Sequence, residues 1–461
     1  MLNDKESPFT LTLTDSAISL AVLRFSGQEA LNQPYRFEIE VIGVAPALTP
    51  ATLLHQPAFL RLDAAHGFHG SIHSASCEHL GSHRISYRLV LVPHLQRLAQ
   101  PDKRRVFTHL SVPAILEQLL IDNGLPADSY RIDLTVGQYP PRPFCIQYEE
   151  SDLAWLQRLC EEEGIHFHFE QRATRHVLVF ADDSLTLPQE PTLIPFLTDT
   201  DAVSPGISAL FQRHDAIAVM PPRAVRNRGR PATAEDAANQ PVGKPERQSV
   251  SVEQRHAEQR SRRHLERQRC QYRSIHGRSD CSGLMSGHLL QVVAHPVSSF
   301  NEQWLLTELH HHGQQPSILE PTPVVRRYHN DFIAQPWSTE FRPALKQPRP
   351  SIPGYHLARV LGAPGHPAQL DEAGRIGVTL WPTHATEAAA EMWLPIALTN
   401  ASGRLAAHQL PRAGSEVWVG FLDGDPDRPI LCHDNPRDAT PRETAPAQES
   451  GLLLDWLLNR T

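Results

Sequence analysis

A run of fixed corners between two β-rich stretches constrains this chain more than any other feature. It occupies residues 411–436 and reads PRAGSEVWVGFLDGDPDRPILCHDNP. Residues 416–422 are β-branched and aromatic, with Val417, Val419 and Phe421 alternating onto one face, the period of a half-buried strand. Asp423-Gly424 follows as a turn dipeptide, because glycine accepts positive φ at no steric cost. Asp425, Pro426, Asp427, Arg428 and Pro429 come next. Two prolines there fix two φ angles, and neither can donate to a ladder. Ile430, Leu431 and Cys432 resume a short strand. The stretch predicts a tight hairpin in a small β-barrel.

A chain of 461 residues suggests two to four domains at roughly 100–200 residues each. Charged residues are 20% and the apolar set 40%, which is globular rather than disordered composition. The net charge of −8 argues against nucleic acid as a general partner. No apolar run reaches the ~18 residues of a membrane span. The N-terminus, MLNDKESPFTLTL, has no basic region followed by an apolar segment, so no Sec-type signal is expected. Cys77, Cys145, Cys160, Cys270, Cys281 and Cys432 are scattered, and none forms C-x-x-C. That pattern fits reduced, mostly buried thiols of a cytosolic protein. Forty prolines fit many short strands and corners.

Residues 1–99 read as a β domain, with short strands expected near 9–13, 35–41, 59–62 and 85–92. Phe25, Gly27 and Glu29, followed by Leu31, Pro34, Tyr35 and Phe37, read as a turn entering a strand. Residues 100–185 change character. Ser111 to Asn123 carries Ile115, Leu116, Leu119 and Leu120 on one helical face, with Pro113 in the first turn and Gly124 after the end, both in their favoured places. Further on, a strand at 144–148 leads to Ser151 as N-cap and Asp152 in the first turn. Trp155, Leu156, Leu159 and Cys160 form the buried stripe, Arg158 lies between them, and Gly164 stops the helix. A hairpin is expected over 166–170 and 176–180. Residues 186–334 return to β and hold a charged helix. Residues 335–353 read as a proline-rich linker. The last domain, 354–436, opens with a strand and a D-E-A-G-R turn that ends in Gly374 and Arg375.

These stretches resemble the VgrG proteins, the spikes of type VI secretion systems, which are similar to contractile-phage tail spikes. The motif through Gly414, Glu416 and Gly424–Pro429 is similar to their OB-fold hub. The block from Gln147 to Ile165, with Trp155, Arg158 and Gly164, matches their tail-hub signature and ends in Ala181, Asp182 and Asp183. The resemblance implies a mainly β chain: two tail-hub-type β-barrel domains with an α/β insert, then an OB-fold domain. It implies a homotrimer that docks on a hexameric Hcp-type tube, meets baseplate components, and carries a PAAR-type tip or effector. Such a protein is cytoplasmic before assembly and then leaves by the type VI route. One departure is visible: WPTHATEAAAEMWLPIAL stands where relatives carry a more polar aromatic strand. The β-helix that relatives carry after the hub is not expected here. Residues 437–450 read as a linker, and 451–461 as an apolar tail whose Leu453, Leu454, Trp456 and Leu457 are candidates for docking. A tail hub of a phage-like particle, or a spike-associated hydrolase, are the alternatives.

Several clusters tempt a chemical reading. Glu161, Glu162 and Glu163 are consecutive, so on a helix they diverge and make a poor carboxylate dyad. They are expected on a solvated helix face. The helix near 252–272 carries six arginines, among them Arg260, Arg262, Arg263, Arg267 and Arg269, interleaved with glutamates, and a solvated helix is again expected. His310, His311 and His312 are adjacent and alternate faces on a strand, so one ion cannot take all three. They are expected at a strand-edge surface. The chain has no G-x-S-x-G, Walker A or H-E-x-x-H motif. No catalytic residue, cofactor, metal or stable membrane insertion is expected.

Overall fold

The computed structural model describes residues 9–16, 18–44, 48–80, 84–198, 205–216, 251–316, 325–382, 390–396 and 410–432. They form two compact units. One holds residues 1–103, 111–141 and 150–349; the other holds 104–110, 142–149 and 350–461.

The first unit is built on a twelve-stranded sheet that closes twice. Its first six strands are β1 (Thr10–Leu13), β2 (Ile18–Ala30), β3 (Gln33–Val44), β4 (Pro57–Arg61), β5 (Gly67–Leu80) and β6 (Arg84–Val92). They run in the order β1-β4-β5-β6-β3-β2, and β2 returns to β1. The ring has a core of Phe37, Ile39, Val41, Tyr87, Leu89 and Leu91, with Phe37 opposite Leu91 and Ile39 opposite Leu89. Alternation explains this filling, since every second residue faces the barrel interior. The short helix α1 (Pro50–Leu53) leads into β4.

The second barrel lies further along the chain. Its strands are β12 (Thr192–Pro195), β13 (Ile207–His214), β14 (Arg273–Ser279), β15 (Leu289–Val293), β16 (Gln303–Gln314) and β17 (Arg327–Pro336). They run β12-β15-β16-β17-β14-β13, and a bridge from Phe196 to Ile207 closes the circle. Trp304, Leu306, Leu309, Phe332 and Ala334 fill it. The two barrels are fused edge to edge: β2 pairs antiparallel with β16, from Arg24 opposite Gln314 to Ala30 opposite Glu308. Phe25, Gly27 and Glu29 therefore sit inside a long strand rather than at a turn. Gly27 lies under the ring of Phe37, its cross-strand partner, and a Cβ there would overlap the ring. Gly313 lies in the same way under Phe25.

Between the barrels the chain forms α2 (Val112–Asp122), α3 (Asp152–Glu163) and a three-stranded sheet. That sheet pairs β10 (His166–Gln171) with β11 (His176–Ala181) antiparallel, and β8 (Tyr130–Asp133) with β11 parallel. The apolar face expected for α2 is the buried one: Ile115, Leu116, Leu119 and Leu120 are fully covered. A long helix, α4 (Val252–Cys270), precedes β14.

The second unit is a five-stranded sheet in the order β20-β19-β18-β21-β22. Its strands are β18 (Tyr355–Val360), β19 (Ile376–Leu380), β20 (Glu391–Leu394), β21 (Glu416–Phe421) and β22 (Pro429–Cys432). A bridge from Ile396 to Leu431 joins its two ends, giving the small closed barrel of an OB-fold. Trp393 lies opposite Gly377 on β19, so the strand that departs in charge keeps its pairing. This unit also takes in a two-stranded ribbon of β7 (Lys103–Leu110) and β9 (Arg142–Glu150). Ile146 and Tyr148 of that ribbon share a core with Val360, Val378, Leu394 and Val419.

Candidate functional site

The signature helix α3 is fixed at both ends. The Ser151 hydroxyl accepts from the Ala154 amide at 3.2 Å, satisfying one of the unpaired donors of the first turn. Asp152 is fully buried and meets Lys103 Nζ and Asn123 Nδ2 at 2.8 Å each. Trp155, Leu156, Leu159 and Cys160 are fully buried, as the 3.6-residue period requires. Arg158 is buried as well. Its Nε and Nη2 meet both carboxylate oxygens of Glu150 at 2.7 Å, and its Nη1 meets Glu162 at 2.9 Å. Burial alone lowers the pKa of Arg158, but the Glu150 and Glu162 carboxylates outweigh it and raise the net value.

Gly164 ends the helix in the left-handed region at φ 69°, where a side chain is strained. A Cβ there would also press on the Arg263 and Arg342 side chains. These arginines explain helix α4, which is solvated over most of its surface, as with Arg260, Arg262 and Arg269, but buries one stripe of Gln259, Arg263 and Arg267. Arg263, 1% exposed, donates to the Glu163 carbonyl. Arg267, also buried, donates to the Glu161 carbonyl, and its Nε reaches the Pro343 carbonyl at 2.7 Å. Two cations thus meet carbonyls of the last turn of α3, where the helix dipole is negative. Arg342 completes the knot, meeting Glu266 at 2.8 Å and the Asp182 carbonyl at 2.9 Å. The segment around residues 341–347 is therefore a strap rather than a free linker.

The three glutamates diverge as expected, but two of them are buried rather than solvated. Glu161 accepts from the Lys346 and Gln347 amides, both at 2.8 Å. Burial raises its pKa, and the two amides offset only part of that. Glu162 meets Arg158, and Glu163 meets His256 at 2.9 Å. Each carboxylate is committed to a different structural partner, so no dyad forms among them. Asp182, fully buried, accepts from the Thr135 and Val136 amides at 3.0 and 3.3 Å, the Gly137 amide at 2.5 Å, and the Tyr139 hydroxyl at 2.9 Å. Arg263 stands 3.5 Å away on the other side.

The adjacent histidines split between faces. His311 is fully buried, not a surface residue. It lies 2.7 Å from the Tyr328 hydroxyl and 3.2 Å from Glu29, the motif glutamate of β2, which also accepts from Ser286 at 3.1 Å. His310 meets Glu308 at 2.8 Å on the opposite face. The six cysteines are free thiols, and burial pushes Cys270 up to about 11.

In the second unit the corner motif forms a compact turn. Asp423 and Gly424 both take positive φ, 57° and 71°. The Asp425 carboxylate accepts from the Asp427 amide at 3.0 Å, and its carbonyl accepts from the Arg428 amide at 2.9 Å. Pro426 lies between them, Arg428 reaches Asp423 at 3.1 Å, and Pro429 starts β22 opposite Phe421. Gly374 has φ 74° and Gly414 φ 81°. Arg375 closes its own turn on Asp371 at 2.7 Å. Glu416 is exposed and 3.9 Å from Arg359. Leu453, Leu454, Trp456 and Leu457 lie outside the described residues.

Comparison with known proteins places this architecture. The profile of the phage tail baseplate hub (GPD) matches residues 28–317, more than half of the chain. That of the type VI secretion system/phage-baseplate injector OB domain matches 368–433. The chain belongs to the phage tail baseplate hub family, in its VgrG group. The type VI secretion system spike protein VgrG4b of Pseudomonas aeruginosa is 36% identical over 92% of this chain. VgrG5 of the same organism is 37% identical over 92%. The chain spans 56% and 57% of those two VgrG relatives. The solved structure of the Escherichia coli c3393 protein, described as a type VI secretion component similar to the T4 tail proteins gp27 and gp5, covers 89% of this chain. This chain covers 96% of it, with a TM-score of 0.69 at 24% identity. The buried arginine knot and the Glu29–His311 contact carry no visible sequence period, and only the VgrG signature flagged their neighbourhood.

Proposed function

We propose that the chain is the hub of a type VI secretion spike and works as a homotrimer. The observation that carries this reading is the sheet: two six-stranded barrels per chain, fused through β2 and β16. Three copies around one axis supply six barrels, the number of subunits in a hexameric Hcp-type tube ring, so a threefold hub can meet a sixfold partner. Both Pseudomonas aeruginosa relatives are named as spike proteins of this system, which supports the same role. The second unit then bears a PAAR-type tip or effector, with Gly374, Arg375, Gly414, Glu416 and the Gly424–Pro429 corner shaping contacts between copies. Residues 451–461 dock on that cargo or on the other two tails. The role is mechanical and needs no cofactor. The protein assembles in the cytoplasm against baseplate components and leaves by the type VI route. Among the described residues no helix is long and apolar enough to cross a membrane.

The test is the mass of the purified protein at micromolar concentration, alone and mixed with a tube hexamer. A trimer of the 51.6 kDa chain, and one trimer per hexamer in the mixture, is expected. A monomer in both samples overturns the reading.

A further inference from the structure

His312 and His329 are directly opposite each other on β16 and β17, with rings stacked at 4.9 Å between centroids. Asp331 lies two residues beyond His329, and alternation returns it to the same face. One ligand atom from each of His312, His329 and Asp331 lies within 4.8 Å of the others, all half-buried. We propose that these three residues form a divalent transition-metal site, suited to Zn²⁺ or Co²⁺, on the face of the ladder opposite His311. This goes beyond the mechanical role proposed above, since a hub needs no ion there.

The donor set is one that borderline-soft cations take: two imidazoles and a carboxylate, with an open position for water. Zinc bonds of about 2.0 Å at a tetrahedral angle put ligand atoms about 3.3 Å apart. The observed spread is therefore wider by about 1.5 Å, within reach of side-chain rotation on a half-exposed strand face. Binding also requires neutral imidazole and ionised carboxylate. Arg278 is the charged partner of Asp331. That arginine is also the competitor: its Nε and Nη2 meet the two Asp331 oxygens at 2.8 and 3.3 Å. The pair is half-exposed, so Arg278 can swing away when a dication takes the carboxylate. The site opens into a groove of about 930 Å³ that His312, His329 and Arg278 line, which leaves room for the water ligand. The three adjacent histidines do not share an ion. The second strand supplies the partner instead.

The experiment uses the full chain without an affinity tag, titrated with Co²⁺ and followed by visible d–d absorption, then competed with Zn²⁺. One saturable site per chain is expected, with the intense spectrum of a tetrahedral ion. His312→Ala and His329→Ala should each weaken binding at least about 10-fold, on the scale of losses at metal sites. Asp331→Asn should weaken it similarly, and Arg278→Leu should strengthen it. His310→Ala, on the same face but held by Glu308, should leave it unchanged. The proposal falls if no saturable site appears below 1 mM, a bound set at about 4 kcal/mol of binding. It falls equally if His329→Ala binds like the parent, or if His310→Ala removes the signal.

Discussion

Replacing Arg263 by methionine decides whether helix α4 is a structural clamp or a solvated surface helix. The side chain is 1% exposed. It donates to the Glu163 carbonyl and to the Tyr139 hydroxyl at 2.8 Å, and stands 3.5 Å from Asp182. Each hydrogen bond from a charged donor contributes about 1.5–3 kcal/mol, and the cation at the α3 C-terminus adds about 0.3–1 kcal/mol. Against this, methionine removes the cost of holding a charge out of water, which is several kcal/mol. Asp182 keeps its three backbone donors and Tyr139, so the change does not strand it. The balance is a loss of about 3 kcal/mol. Arg263→Lys should lose about half as much, because one ammonium cannot span the separate acceptors that a guanidinium fork reaches. Urea unfolding followed by tryptophan fluorescence reads the loss. Hydrogen exchange at Gly164 and Ile165, whose amides close the last turn on Glu161 and Cys160, shows where it falls. A methionine variant within about 0.5 kcal/mol of the parent, the range of ordinary surface substitutions, with unchanged exchange there, refutes the clamp.

Stability should fall with acid through the buried histidines. Burial, as the largest cause, lowers His94 and His168 from 6.5 to about 4, and lowers His166 and His176 as well. The unfolded chain therefore binds more protons between pH 6.5 and 4. The stabilisation is fully present above pH 6.5 and is lost as pH falls through about 4, by roughly 3 kcal/mol for each of His94 and His168. A urea midpoint that holds steady from pH 7 to pH 4.5 contradicts this. In the second unit, Gly424→Ala places a Cβ at φ 71° and against the Ser351 hydroxyl, at a cost of about 1–2 kcal/mol. Gly424→Asn should recover part of the loss, because asparagine tolerates the left-handed region; equal urea midpoints for alanine and glycine count against the turn assignment.

How much of this was legible depended on the distance between partners in the chain. Helix α3 could be read because its cap, its apolar stripe and its stop fall within 14 residues, from Ser151 to Gly164. The corner at 423–429 could be read for the same reason. Strands β2 and β5 were missed, because their serines, glycines and histidines dilute the β-branched signal. Their strandedness comes from partners on both sides, which is tertiary context overriding propensity. Arg263 and Arg267 of α4 looked solvated, like their exposed neighbours Arg260, Arg262 and Arg269, because charge pattern is a local statistic. The acceptors of Arg263 and Arg267 lie 76 to 124 residues away, so nothing nearby in sequence marks them as buried. The ribbon of β7 and β9 was assigned to the insert by position, although its apolar residues share the core of the second unit.

The fusion of the barrels depends on one device used twice. Strand β2 pairs with β1 over Ile18 to Ala21 and with β16 over Arg24 to Ala30. The register against β3 shifts between those spans, at Val22 and Arg24. Strand β16 repeats the pattern: it pairs with β15 over Gln303 to Leu305, then with β2 from Glu308 to Gln314, and its register against β17 shifts at Leu306 and Glu308. A bulge bends a strand and raises its local twist, so each long strand turns out of its own barrel where the partner changes. Each barrel closes with one half of the strand and presents the other half as an edge. The two presented edges then cap one another, which removes the exposed edges that an open sheet leaves as aggregation templates. The equivalence of β1-β2-β3 and β15-β16-β17 gives the chain an internal pseudo-twofold relation between barrels. Backbone hydrogen bonds between β2 and β16 hold that relation, and the contacts of Glu29 with His311 and Ser286 add side chains to the same joint. A backbone joint resists relative rotation of the two barrels in a way that a packed interface with rotamer freedom does not.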